Sequence, residues 1–201
     1  MSAAESGRRR AAANSLNKHG PRRAVVTAWV AAAFAVSTCG DNLVVGPDAP
    51  PCMLSVTDYG TVASFTSTNA VRTQSGSGSQ TVAFLAALGV GPTADTLDIQ
   101  LIQGMGAFSG GPPVAGTYKL TGPESQLSTC GVCVVIEAGM PKQDFVAQRG
   151  TLVIDALDTS FKAALSDVEL AHVTIDPMTT VSTIVDSCRT SISASWDTPI
   201  H

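Results

Sequence analysis

The chain has 201 residues, 44% of them apolar, and a net charge of −4 from 12 basic and 16 acidic side chains. Residues 1–38 hold 6 of the basic and 1 of the acidic residues, so the remaining 163 carry 6 and 15, a net charge of −9. A region of that size suits one domain with a sizeable core, while its charge excludes nucleic-acid binding and disfavours anionic membrane surfaces, since both rest on neutralising phosphates.

The N-terminal region reads as an export signal. Residues 1–23 are basic, and Arg22-Arg23 directly precede an apolar run, 24–36. That run is shorter than the roughly 20 apolar residues a spanning helix needs. It fits the middle of a secretory signal. Arg8-Arg9-Arg10 and Arg22-Arg23 each raise twin-arginine export, although a basic flank that orients insertion is the simpler reading. The segment Val36-Ser37-Thr38-Cys39 resembles the lipobox of bacterial lipoproteins. The resemblance covers about 20 residues around Cys39 and implies cleavage before Cys39, which then carries the lipid. A rival cut lies at Ala33-Phe34-Ala35 and would give a secreted protein. Residues 39–52 are rich in Gly, Pro, Asp and Asn without strand or helix period, as suits a tether. The domain organisation is therefore a signal at 1–38, a tether at 39–52 and a folded domain at 53–201.

In the folded part, short alternating apolar runs are punctuated by Gly, Pro, Asp, Ser and Thr, the pattern of an all-β domain. The candidate strands are 61–67, 81–88, 96–103, 116–120, 132–138 and 151–156, then 161–165 and 168–175 on either side of Ser166-Asp167, and finally 180–185 and 190–196. Residues 81–88 are apolar on both faces, so a buried helix competes with a central strand there. Within 168–175 the apolar phase changes, from Val168 and Leu170 to Val173 and Ile175, which predicts a bulge. The last strand is regular, with Ile192, Ala194 and Trp196 inward and Ser191, Ser193 and Ser195 outward. About ten short strands point to an antiparallel β-sandwich, with a β-barrel as the alternative. Two long loops, 72–80 and 104–116, are the places where a site would be sought.

Five cysteines are present. With Cys39 lipidated, an even four remain in an oxidising compartment, which favours disulfides with three possible connectivities. The preferred pairing is Cys52 with Cys188 and Cys130 with Cys133. The first bond closes most of the domain and is worth roughly 4–5 kcal/mol in the chain-entropy model. The spacing Cys130-Gly131-Val132-Cys133 also fits a thiol-disulfide exchange motif. Such a motif needs a helix start to lower the thiol pKa, whereas Val134-Val135-Ile136 reads as strand. Zinc on Cys130, Cys133, His172 and Cys188 lacks a second close pair of ligands. Gly104-Met105-Gly106 precedes Gly110-Gly111-Pro112-Pro113, so no helix follows to make a dinucleotide site. Ser109 lacks the nucleophile-elbow pattern. His172 reads as a partly exposed structural histidine and His201 as a frayed terminus. Asp155, Asp158 and Asp167 could hold calcium weakly, but turn chemistry accounts for them.

Most aromatics fall on the apolar faces. Phe108, inside a Gly-rich loop, is the candidate ligand-binding side chain, and with Trp196 it would serve a carbohydrate-binding module. No catalytic residue, metal or cofactor is indicated. The expectation is a lipid-anchored cell-envelope protein, at the outer membrane rather than the inner. Its β-domain binds or scaffolds an extracytoplasmic protein or glycan, and the membrane is its partner through Cys39. The functional alternatives are an exported thiol-disulfide exchange enzyme using Cys130 and Cys133, and a carbohydrate-binding module.

Overall fold

The computed structural model describes residues 58–201; the expected signal and tether, Cys39 and Cys52 lie outside them. Nine strands form among the described residues: β1 Thr61–Val62, β2 Thr68–Gln74, β3 Gln80–Leu88, β4 Asp95–Ile102, β5 Gly116–Lys119, β6 Val132–Ala138, β7 Gln143–Ala156, β8 Ser160–Ile175 and β9 Ser182–Pro199. The all-β expectation holds. The strands make one continuous sheet in the order β1-β9-β8-β7-β6-β4-β3-β2, with β5 also paired to β7. Every pairing is antiparallel except that of β1 with β9, so the sheet is mixed rather than purely antiparallel.

The sheet curls over on itself without closing into a barrel. Phe84 on β3 stacks on Trp196 of β9, with ring centroids 4.6 Å apart, and meets Phe161 of β8 edge-on at 5.7 Å. Strands far apart in the hydrogen-bonded order therefore share one core. Phe65 closes the seam against both Phe84 and Trp196. The chain end is tied to β2 by one parallel bridge, Ala70 with Ile200, and His201 N–H donates to Ala70 O at 2.9 Å. His201 is thus held by its backbone, which corrects the expectation of a frayed terminus.

Alternation explains which faces meet. On β3, Val82, Phe84 and Ala86 are buried while Leu85 is 44% exposed, a period of two that settles this run as strand and not helix. Leu97, Ile99 and Leu101 of β4 and Ile192, Ala194 and Trp196 of β9 face the same core. Each phenylalanine so buried contributes about 1.5–3 kcal/mol.

The expected break at Ser166-Asp167 is a bulge inside one long strand. Register shifts fall between Leu165 and Val168 and between Ala171 and Val173, where the apolar phase changes. Gly150 on β7 faces this bulge at φ +120°, and a Cβ there would lie 2.6 Å from Val168 Cα. Only glycine allows that approach.

The loop expected at 72–80 is a tight connection of residues 75–79, because β2 runs to Gln74 and β3 begins at Gln80. Only Ala70 of β2 is buried, so this polar edge strand carries no alternation to read. In the other long loop, Phe108 ends a short 3₁₀ turn, Gly106–Phe108, and its ring meets Tyr118 at 5.0 Å.

Candidate functional site

Strand β4 buries alternate residues and turns the others outward, and β6 and β7 beside it each leave side chains on that outward side. On the outward side they frame a concavity of about 390 Å³. The floor follows from register: Asp98 pairs with Val135, Gln100 with Cys133, and Glu137 with Asp144. Met105 and Leu127, from the long connections around β5, form one wall, and Ile175 and Thr180, from the β8–β9 hairpin, form another. The β8–β9 wall is fastened to the connection carrying Leu127, because Ser182 Oγ donates to Gln126 Oε1 at 2.8 Å.

Three carboxylates share this depression, and no basic side chain lines it. Gln100 Nε2 donates to Asp98 Oδ2 at 2.9 Å, while Asp98 Oδ1 is buried without a hydrogen-bond partner. Burial pushes the Asp98 carboxyl above the ordinary carboxylate range. The Gln100 hydrogen bond acts against that shift, and the nearby Glu137 charge adds to it. Asp144 is raised for the same first reason and by Glu137, with His172 opposing. The unpartnered Asp98 Oδ1, beside the raised Asp144 and the Glu137 carboxylate, is an acceptor that an ammonium or guanidinium group would relieve.

The Met105 wall is locked from below. Glu124, buried, accepts Ala107 N–H through Oε1 at 2.7 Å and Val132 N–H through Oε2. A Cβ on Gly131 would stand 2.3 Å from Met105 O, and one on Gly106 would stand 2.3 Å from Gly131 N. The two glycines let the loops touch backbone to backbone, and Glu124 satisfies the N–H groups so buried. Met105 and Gly106 therefore serve loop-to-loop packing, and only a three-residue 3₁₀ turn, Gly106–Phe108, follows.

The disulfide Cys130–Cys133 forms, with Cα atoms 5.3 Å apart, at the turn that Gly131 makes before β6. Cys133 lines the concavity but is only 4% exposed, and Cys130 is fully buried. Cys188 is disulfide-bonded as well. Its expected partner Cys52 and the lipidation candidate Cys39 lie outside the described residues.

Other sequence candidates resolve differently. Phe108 is 3% exposed and Trp196 7%, both within the core, so neither offers a face to a sugar or other ligand. This corrects the exposure expected of Phe108. A glycine-rich loop need not be external when a 3₁₀ turn points its one large apolar residue inward.

His172 is buried rather than partly exposed. Its Nδ1 lies 2.8 Å from Asp186 Oδ2, and its ring stacks on Phe145. Asp186 Oδ1 also accepts Cys188 N–H at 2.7 Å. The hairpin brings in this aspartate from 14 residues along, beyond what local spacing reveals. No serine among the described residues hydrogen-bonds His172, and Ser109 is exposed in a distant turn. Asp155 and Asp158 line one surface depression and Asp167 another, so the three do not assemble. Among the described residues no cluster of three or more His, Cys, Asp or Glu side chains could hold a metal, and no helix is long and apolar enough to cross a membrane.

The chain matches no protein-family model, no curated protein and no solved structure.

Proposed function

We propose that this protein is a lipid-anchored, non-catalytic binding module of the cell envelope, and that the concavity of β4, β6 and β7 receives a cationic side chain of an extracytoplasmic partner. The anchor rests on the Val36-Ser37-Thr38-Cys39 segment. The binding role rests on one observation, the buried and unpartnered Asp98 Oδ1 inside a concavity whose other carboxylates are Glu137 and Asp144. A lysine or arginine fits on two counts. Its charged head would satisfy the carboxylates, and its methylene stem would lie along Val135, Met105 and Leu127. The domain's net negative charge would also speed the approach of a basic segment.

Thiol-disulfide exchange at the same place has less support. Both sulfurs are nearly inaccessible, and neighbouring carboxylates disfavour the thiolate that exchange requires.

Calorimetric titration of the full chain tests the reading, using a short capped peptide with one lysine and its norleucine counterpart. Saturable binding of the lysine peptide alone, weakened by salt and about tenfold or more by Asp98→Asn, is expected. Equal binding of both peptides, or none of either, would remove the basis for a cationic ligand.

A further inference from the structure

Three hairpins of the sheet turn at the same end. Residues 89–94 join β3 to β4, residues 139–142 join β6 to β7, and residues 176–181 join β8 to β9. Their strand pairs are consecutive in the sheet, so the tips follow one another along its edge. The first two are level and touch, since Lys142 Nζ donates to Ala94 O at 2.8 Å. Each tip exposes a large apolar side chain: Val90 is 79% exposed, Met140 64% and Met178 90%. At the opposite end the β2–β3 turn is Ser75-Gly76-Ser77-Gly78-Ser79.

The chain also enters the described residues beside the first tip. Strand β1 runs parallel to β9, pairing with Ser193 and Ala194 well along it, and so points away from the tips. Tyr59 Oη donates to Asp95 Oδ2 at 2.6 Å, and Asp95 opens β4 directly after the first tip. Gly139 N–H, in the second tip, donates to the same carboxylate at 3.0 Å. The 57 residues before Asp58 include the apolar run and Cys39.

We infer that this end of the sheet docks on the bilayer holding the Cys39 anchor, with Val90, Met140 and Met178 entering its interface. The inference rests on the lipid-anchor reading for which surface is met. Apolar tips and an acyl group are the two signals that together give stable attachment where one is marginal. The charges nearby set the lipid preference. Lys142 is turned toward Ala94 O, Glu137 O and, at 3.6 Å, Asp95. Asp176 is ionised and held by Met178 N–H and Thr179 N–H, and Glu137 and Asp144 lie just below. Docking is therefore apolar and suited to zwitterionic headgroups, with no gain from anionic lipid.

The methionines supply the probe, because a peroxide oxidises exposed thioethers and spares those shielded by lipid. The protein isolated from membranes is weighed intact, reconstituted into phosphatidylcholine vesicles with or without phosphatidylglycerol, and treated with peroxide. The expected result is slowed oxidation of Met140 and Met178 relative to Met105, which lies in the outer concavity, and no further slowing with phosphatidylglycerol. The Cys39→Ser protein should still associate weakly with vesicles, and Val90→Ser/Met140→Ser/Met178→Ser should reduce that association roughly tenfold. A mass without acyl groups would refute the anchor alone, since tip protection by added vesicles is scored separately. Acylated protein whose tips oxidise as freely as Met105 would overturn docking. Protection in native membranes but not in pure lipid would also overturn it, in favour of a protein cover.

Discussion

The two faces of β4, β6 and β7 use the same backbone for opposite ends. Inward, Leu97, Ile99, Leu101, Val132, Val134 and Ile136 are fully buried and apolar. Outward, the intervening residues are carboxylates, an amide, a buried disulfide sulfur and one valine around an open depression. A one-residue slip would exchange the two sets, so the inner face fixes register and thereby positions Asp98, Glu137 and Asp144. Stability is concentrated on one face and unsatisfied charge on the other, and substitutions should separate them.

The largest expected effect is on the inner face. Phe84→Ala removes the ring that meets Phe65, Phe161 and Trp196. It should cost about 3–5 kcal/mol in urea unfolding. A loss below about 1 kcal/mol would mean that the curled-over core is not the source of stability.

Next comes the buried lock under the Met105 wall. Glu124→Ala leaves the Ala107 and Val132 N–H groups without their acceptor. At about 1–3 kcal/mol for each orphaned donor, a loss of about 2–6 kcal/mol is expected. Because this change also frees a wall of the concavity, it should weaken cation binding as well, which Phe84→Ala should not do while the protein remains folded.

Opening the Cys130–Cys133 bond by Cys133→Ser removes a very short loop constraint, worth about 2 kcal/mol in the chain-entropy model. Denaturant midpoints of oxidised wild type and variant give the value. Redox enzyme assays should stay at background for both.

On the outer face the sign reverses. Asp98 and Asp144 have folded pKa values raised above 3.8. Their favourable contribution is therefore present below that value and is lost as pH rises through the raised values. Asp98→Asn should accordingly stabilise the domain at about pH 7, by less than about 1 kcal/mol after solvent screening, and leave it nearly unchanged near pH 3.5. The same substitution should weaken cation binding. A loss of stability at neutral pH would mean that Asp98 Oδ1 already has a partner.

Much of this contrast was legible in the sequence. The regular strands 96–103 and 190–196 carry strict alternation that shows which residues face inward, and the phase change after Leu170 marks a real bulge. What escaped had physical reasons. β2 buries only Ala70, and the first half of β7 buries Phe145, Val146 and Ala147 in succession, so neither shows a period of two. Two expected pairs of short strands, 161–165 with 168–175 and 180–185 with 190–196, are single long ones, since a bulge bends a strand without ending it. Phe108 reads as exposed from its glycine-rich neighbours, and only the 3₁₀ turn reveals where its ring goes. The outer concavity was invisible because its residues come from four strands and three connections, and scattered acids look alike in one dimension.

The most direct test of the outer face is carbon-detected NMR titration of the Asp98 carboxyl in the full chain, with and without the lysine peptide. The account predicts a pKa above the ordinary 3.8 that falls when the cation binds, because the ligand favours the ionised form. An unshifted value that the peptide leaves unchanged would contradict it.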